Sequence, residues 1–224
     1  MTSQPAFFAD YAERLRKTLA AADLAPVETL AGAMLEAWRT GRSVYLCGNG
    51  GSAGNAIHLV NDFIFGAVRG KGPGLRAHAL PANAAVLTCL ANDTDYSEIF
   101  SLQLQTFGQP GDILLALSGS GNSPNILKAI EKGRALGMRT FAILGYSGGK
   151  AKTLVDVPIH FPVDDMQISE DLQLNLQGVE DRMVFVHRSV ATVTILTESE
   201  DFEPLPGVVP SPVANVPPAQ PDLG

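Results

Sequence analysis

The stretch SVYLCGNGGSAGNAIH, residues 43–58, decides the fold. An apolar run, SVYLC, ends at a glycine-rich turn and passes into a segment that can be helical, which is how a buried parallel strand hands over to its crossover helix. Four more apolar runs bounded by Gly or Asp repeat the pattern: LRAHAL (75–80), DILLAL (112–117), RTFAIL (139–144) and VPIHF (157–161). Between or beside them, residues 53–66, 96–106, 122–136 and 148–155 carry helical periodicity or helix-start chemistry. The alternation predicts βαβ units and an α/β sandwich of three layers. Ahead of the first strand, Phe7, Tyr11, Leu15 and Leu19 recur at helical spacing, as do Leu30, Met34 and Trp38 after Pro26. Residues 6–40 are therefore expected to form two helices arranged as a hairpin.

The 224 residues are 46% hydrophobic and 17% charged, enough apolar material for one large core. No unbroken apolar run reaches the length of about 18 residues that a membrane span needs. A formal charge of −7 and a pI near 5.0 argue against a nucleic-acid partner, because a phosphate backbone needs a field of Lys and Arg. Cys47 and Cys89 both stand in apolar strings, so each is expected to be a small buried hydrophobe in a reducing compartment. The start, MTSQPAFFADYAERL, lacks the basic leader and apolar stretch of a secretory signal, and a cytoplasmic location is expected.

In an open parallel sheet the chemistry gathers beyond the carboxyl ends of the strands. After SVYLC comes GNGGSAGNAIH, where Gly48, Gly50 and Gly51 permit tight turns, Ser52 offers a hydroxyl and a helix begins near Ala53. After DILLAL comes SGSGNSPN, in which Ser118, Ser120 and Ser123 supply hydroxyls and Pro124 suits the first turn of a helix. No GxGxxG followed by an acid about 20 residues on, and no GxxxxGK[ST], is present to hold a dinucleotide or a nucleoside triphosphate. Hydroxyls and backbone amides without Lys or Arg in the loop suit a small phosphate monoester, and the expected ligand is a sugar phosphate.

GNGGSAGNAIH (48–58), LANDTDY (90–96), LALSGSGNSPNILKAI (115–130) and ILGYSGGK (143–150) together resemble the sugar isomerase (SIS) domain and, within it, the phosphoheptose isomerase family, over about residues 5–174. The resemblance implies a five-stranded parallel sheet, a homotetramer and active sites shared between subunits. It also implies that Ser118, Ser120 and Ser123 hold the substrate phosphate, while Asn49, Gly50, Ser52 and Asp93 contact the sugar. The implied reaction converts sedoheptulose 7-phosphate to D-glycero-D-manno-heptose 7-phosphate, an aldose–ketose isomerisation for heptose synthesis. A second reading is a catalytically silent phosphosugar-binding module that regulates a protein partner, as in the bacterial replication-initiation factor of this fold.

Bacterial members of the family hold zinc through His and, four residues on, Glu, then through Gln and His on a late helix. His58 matches the first of these, with Asp62 at i+4 on the same helical side in place of Glu. On the late segment, MQISEDLQLNLQGVEDR, Ser169 or Glu170 stands where the family has Gln, and Gln177 or Gly178 where it has His. The zinc set is therefore half present. Asp62 and Glu170 are the candidate catalytic bases. His78 and His160 lie in strand strings and are expected to be structural, and His187 lies too far along to replace the missing ligand.

The domain is expected to occupy residues 1–181. Residues 182–202 form a strand-prone extension, rich in Val, Thr and Ile. Residues 203–224 hold seven of the 15 prolines and are expected to be a disordered tail.

Overall fold

The computed structural model describes residues 4–66 and 73–174, together with the pairs 185–186 and 193–194. Two helices, α1 (Gln4–Ala20) and α2 (Ala25–Thr40), precede the first strand, as their periodicity predicts, but the chain turns by 74° between them, so they do not fold back as the expected hairpin. The strands are β1 (Ser43–Gly48), β2 (Arg76–Ala79), β3 (Ile113–Ser118), β4 (Arg139–Leu144) and β5 (Val157–His160). All four pairings are parallel and the order is β2-β1-β3-β4-β5. Each strand coincides with one of the five apolar runs to within a residue or two, because a strand covered on both faces must be apolar along its whole length. Every residue of β1 and β3 is buried.

Alternate residues feed two cores. Val44, Leu46, Ile113, Leu115, Leu117, Phe141 and Ile143 pack with α2, with α3 (Gly51–Asn61) and with the late helix α8 (Met166–Leu172). Tyr45, Cys47, Leu114, Ala116, Ala142 and Leu144 face α5 (Ser101–Phe107), α6 (Pro124–Ala135) and α7 (Ala151–Leu154). This is the expected sandwich of three layers. The first helix closes on α8 through Tyr11, which donates to the Asp171 carboxylate, and through Arg14 Nη1 on Asp165 Oδ2 at 2.6 Å.

Three features depart from the sequence reading. Residues 62–66 continue α3 as a π-helical turn. A helix outside the sequence assignments, α4 (Ala84–Asp93), follows β2; none of its residues is fully buried, but Leu87, Leu90 and Ala91, at i, i+3 and i+4, rest half-buried on the core. Cys89 lies on that helix and is exposed, which corrects its assignment to the core, while Cys47 is buried and its thiol is pushed up to about 12. Phe185–Val186 pairs antiparallel with Val193–Thr194. The Pro-rich stretch 203–224 and His187 lie outside the described residues. Among the described residues no single helix is long and apolar enough to cross a membrane.

Candidate active site at the β1/β3 crevice

The chain leaves β1 toward β2 on one side, while β3, β4 and β5 extend on the other, so strand order reverses between β1 and β3. The carboxyl ends of those two strands open the crevice where ligands bind in sheets of this kind. Both glycine- and serine-rich loops lead out of it: Gly48–Ser52 from β1 and Ser118–Ser123 from β3.

The β3 loop is held in shape by its own hydroxyls. Ser118 Oγ accepts the Gly121 N–H at 3.1 Å and Ser120 Oγ accepts the Asn122 N–H at 3.3 Å. A hydroxyl that accepts in this way still has its proton to donate to an incoming anion. Ser123 is the N-cap of α6 but makes no side-chain capping bond, and Pro124 fills the first turn. The loop is braced from the start of α7, beyond β4, since Ala151 N donates to Gly121 O at 2.9 Å and Lys150 N to Asn122 Oδ1 at 3.0 Å.

In the β1 loop Gly50 has φ +54°, a backbone that favours glycine, and it turns the chain into α3. Asn49 behind it pairs with Asn125 of α6. Asn49 Nδ2 donates to Asn125 Oδ1 at 2.9 Å and Asn125 Nδ2 donates to Asn49 Oδ1 at 2.8 Å. Tyr96 Oη adds a third bond to Asn49 Oδ1, 3.2 Å away, tying in the segment after Asp93. Ser52 is buried and its Oγ accepts from Gln173 Nε2 at 2.9 Å, while Gln173 Oε1 accepts from Asn55 at 3.0 Å.

Of the two carboxylate candidates, one reaches the crevice in this chain. Glu170 on α8 lies directly over Gly51, its two carboxylate oxygens occupying the space that a Cβ at residue 51 would take. Ser169 turns the other way and packs against Gly145 and Gly119. Asp62 sits eleven residues beyond Gly51 along α3, about 16 Å at 1.5 Å per residue. The two carboxylates therefore do not converge on one substrate within a single chain, although sequence spacing nominates both. Asp93 ends α4 exposed, and hydrogen bonds from Asn92 and Cys89 hold its carboxyl below the usual range.

Among the described residues the metal set is half present, and its late positions, Gln177 and Gly178, lie outside them. His58 Nε2 faces Asp62 Oδ2 at 3.3 Å, and among the described residues no group of three or more His, Cys, Asp or Glu is placed to hold a metal. A catalytic zinc normally has three protein ligands, so this pair does not fit one. His160 is structural as expected, its Nε2 2.9 Å from Tyr146 O.

Comparison with known proteins follows the same geometry. The model of the SIS domain matches residues 7–145. This chain belongs to the SIS domain family. It is 41% identical over 156 residues to the phosphoheptose isomerase of Chlorobaculum parvum, covering 68% of this chain and 73% of that protein. The structure of a phosphoheptose isomerase from Francisella tularensis superposes with a TM-score of 0.71 at 29% identity, covering 77% of this chain and 93% of the other. That of a phosphoheptose isomerase from Neisseria gonorrhoeae gives 0.69 at 29% identity, over 77% and 92%. The phosphoheptose isomerase branch to which the loop motifs point is thus the branch of its relatives, and the α/β fold with a five-stranded parallel sheet is theirs as well.

Sequence reasoning passed over Asn125, Tyr96 and Gln173. Asn125 is only 1% exposed yet polar, and its position directly after the serine loop is the one signal in the sequence. Replacing Asn125 by Leu is expected to raise KM for a sugar phosphate roughly tenfold or more, because Asn49 loses its orienting partner and one buried amide group is left unpaired. Asn125→Asp, which keeps an acceptor for Asn49 Nδ2, should recover part of that loss. Steady-state kinetics on the two variants checks both.

Proposed function

We propose that this SIS domain isomerises a phosphorylated ketose and aldose, with sedoheptulose 7-phosphate and D-glycero-D-manno-heptose 7-phosphate as the pair. The observation that carries the reading is the convergence at one crevice of the serine loop, the Asn49–Asn125 bridge and the Glu170 carboxylate over Gly51. In the proposed arrangement Ser118, Ser120 and Ser123 hold the phosphate, and Asn49, Gly50, Ser52 and Asp93 meet the sugar. Glu170 takes a proton from the carbon beside the carbonyl. The resulting enediolate regains a proton at the former carbonyl carbon while the hydroxyl proton passes to the former carbonyl oxygen, so that the carbonyl moves by one position with no net gain or loss of atoms. The Glu170 carboxylate supplies this acid–base chemistry, and no step is assigned to zinc. Asp62 serves the reaction only if a second copy brings its α3 to the crevice, in the shared-site homo-oligomer that the family resemblance implies.

Calorimetry with sedoheptulose 7-phosphate and with the unphosphorylated sugar tests the phosphate loop. Ser120→Ala and Ser123→Ala are each expected to weaken phosphosugar binding about tenfold or more, the worth of a hydrogen bond to a charged acceptor. Equal affinity of the unaltered protein for the two ligands would sink the cradle. A product assay on the same protein separates the enzyme from a silent binding module, since the module binds the phosphosugar without turning it over.

The metal has its own test. After dialysis, the purified protein is expected to retain far less than one zinc per chain. Stoichiometric zinc that disappears in His58→Ala would show a complete site.

A further inference from the structure

A further cavity of this domain runs along β2, from Arg42 and Arg76 at the amino ends of the strands to Leu80 and Asn83 beyond the carboxyl end of β2. It has a volume of about 550 Å³, within the range of small-molecule sites, and it opens where β1, β2 and β3 begin. None of its lining residues belongs to the Gly48–Ser52 or Ser118–Ser123 loops, so it is distinct from the crevice.

The cavity carries unspent groups of two kinds. Parallel register sets Ser43 beside Arg76, so Arg42 and Arg76 start from adjacent positions on neighbouring strands. Among the described residues neither guanidinium forms an ion pair. The nearby carboxylate, Asp112, is 3% exposed and already accepts the Ser43 and Gln109 N–H groups, both at 2.9 Å. Two like charges gathered by strand pairing without a salt-bridge partner favour an anion, and guanidinium matches phosphate through paired hydrogen bonds. The other kind is aromatic. His78 stacks on Tyr45 with ring centroids 5.1 Å apart and planes 20° from parallel, and its outer surface is open to the cavity. Phe107 on the same wall is 57% exposed, much for a large apolar ring. Burial and the charge of Arg76 hold the His78 imidazole below its ordinary range, so it meets a ligand as a neutral ring at pH 7.

We infer that this cavity binds an aromatic phosphate of the nucleoside monophosphate class, with the flat ring against His78 and Phe107 and the phosphate on Arg42 and Arg76. The inference does not rest on the isomerase reading, because it shares no residue with the crevice.

Adenosine 5′-monophosphate is the probe, titrated calorimetrically into the full chain alongside adenosine and inorganic phosphate. The nucleotide should bind at least about tenfold more tightly than either part. The double variant Arg42→Gln/Arg76→Gln, at exposed positions, should weaken it tenfold or more, and Val86→Trp, which fills the cavity from α4, should do the same without touching the charges. Ser120→Ala should leave it unchanged. No binding up to about 10 mM overturns the proposal. So does binding that falls with Ser120→Ala and survives the arginine changes, which would place the nucleotide phosphate in the serine loop. Inorganic phosphate binding as well as the nucleotide overturns it too.

Discussion

Glu170→Gln is expected to lower kcat for the interconversion of sedoheptulose 7-phosphate by about 10²–10⁴-fold, the usual worth of a positioned general base. The amide keeps the size of the side chain over Gly51 but has no lone pair basic enough to take a carbon-bound proton. KM should move little, because the phosphate and sugar contacts come from other loops. A coupled product assay measures kcat, and calorimetry with the same substrate measures binding apart from turnover. Activity within about threefold of the unaltered protein would remove Glu170 as the base and leave Asp62, supplied across a subunit boundary, as the carboxylate to test.

Gly121→Ala should cost the domain a large part of its stability. Gly121 has φ +65°, and a Cβ there would run into the Gly148 backbone carbonyl, which cannot swing away as the end of a side chain can. The left-handed backbone alone costs a non-glycine residue about 1 kcal/mol, and forcing two loops apart adds to it, for an expected loss of about 2–4 kcal/mol. Urea unfolding reads this directly. Because the same contact braces the serine loop against the segment beyond β4, phosphosugar affinity should fall together with stability. Gly32→Ala is the matched control: it lies in α2 with nothing within 4 Å of the added Cβ, so it should stabilise the protein by about 0.5–1 kcal/mol. If Gly121→Ala unfolds at the same urea concentration as the unaltered protein, the loop packing is looser than described.

The sequence by itself determined the layers and the places where the glycine- and serine-rich loops leave the sheet. Five apolar runs became five parallel strands because a strand buried on both faces needs unbroken apolar composition, and that property is local. The serines after β3 were legible for the same reason, since Gly, Ser and Pro at a strand end set turn and cap geometry within a few residues. Helix α4 was passed over although Leu87, Leu90 and Ala91 have helical spacing, because AAVLTCLA is apolar on its other sides too and the stripe does not stand out from them. Tertiary structure alone decided which polar groups meet. Asn49 and Asn125 are 76 positions apart and form a reciprocal pair only because β1 and β3 are neighbours in register. Glu170 and Asp62 look equivalent as candidate bases in the sequence, yet α8 lays Glu170 on the first residue of α3 while Asp62 lies at its far end. The two arginines of the second cavity likewise come together only through the Ser43–Arg76 pairing. Backbone propensity and apolar patterning act over a few residues and survive in one dimension; the direction of a side chain toward a distant partner depends on strand order and helix placement, which the whole chain settles at once.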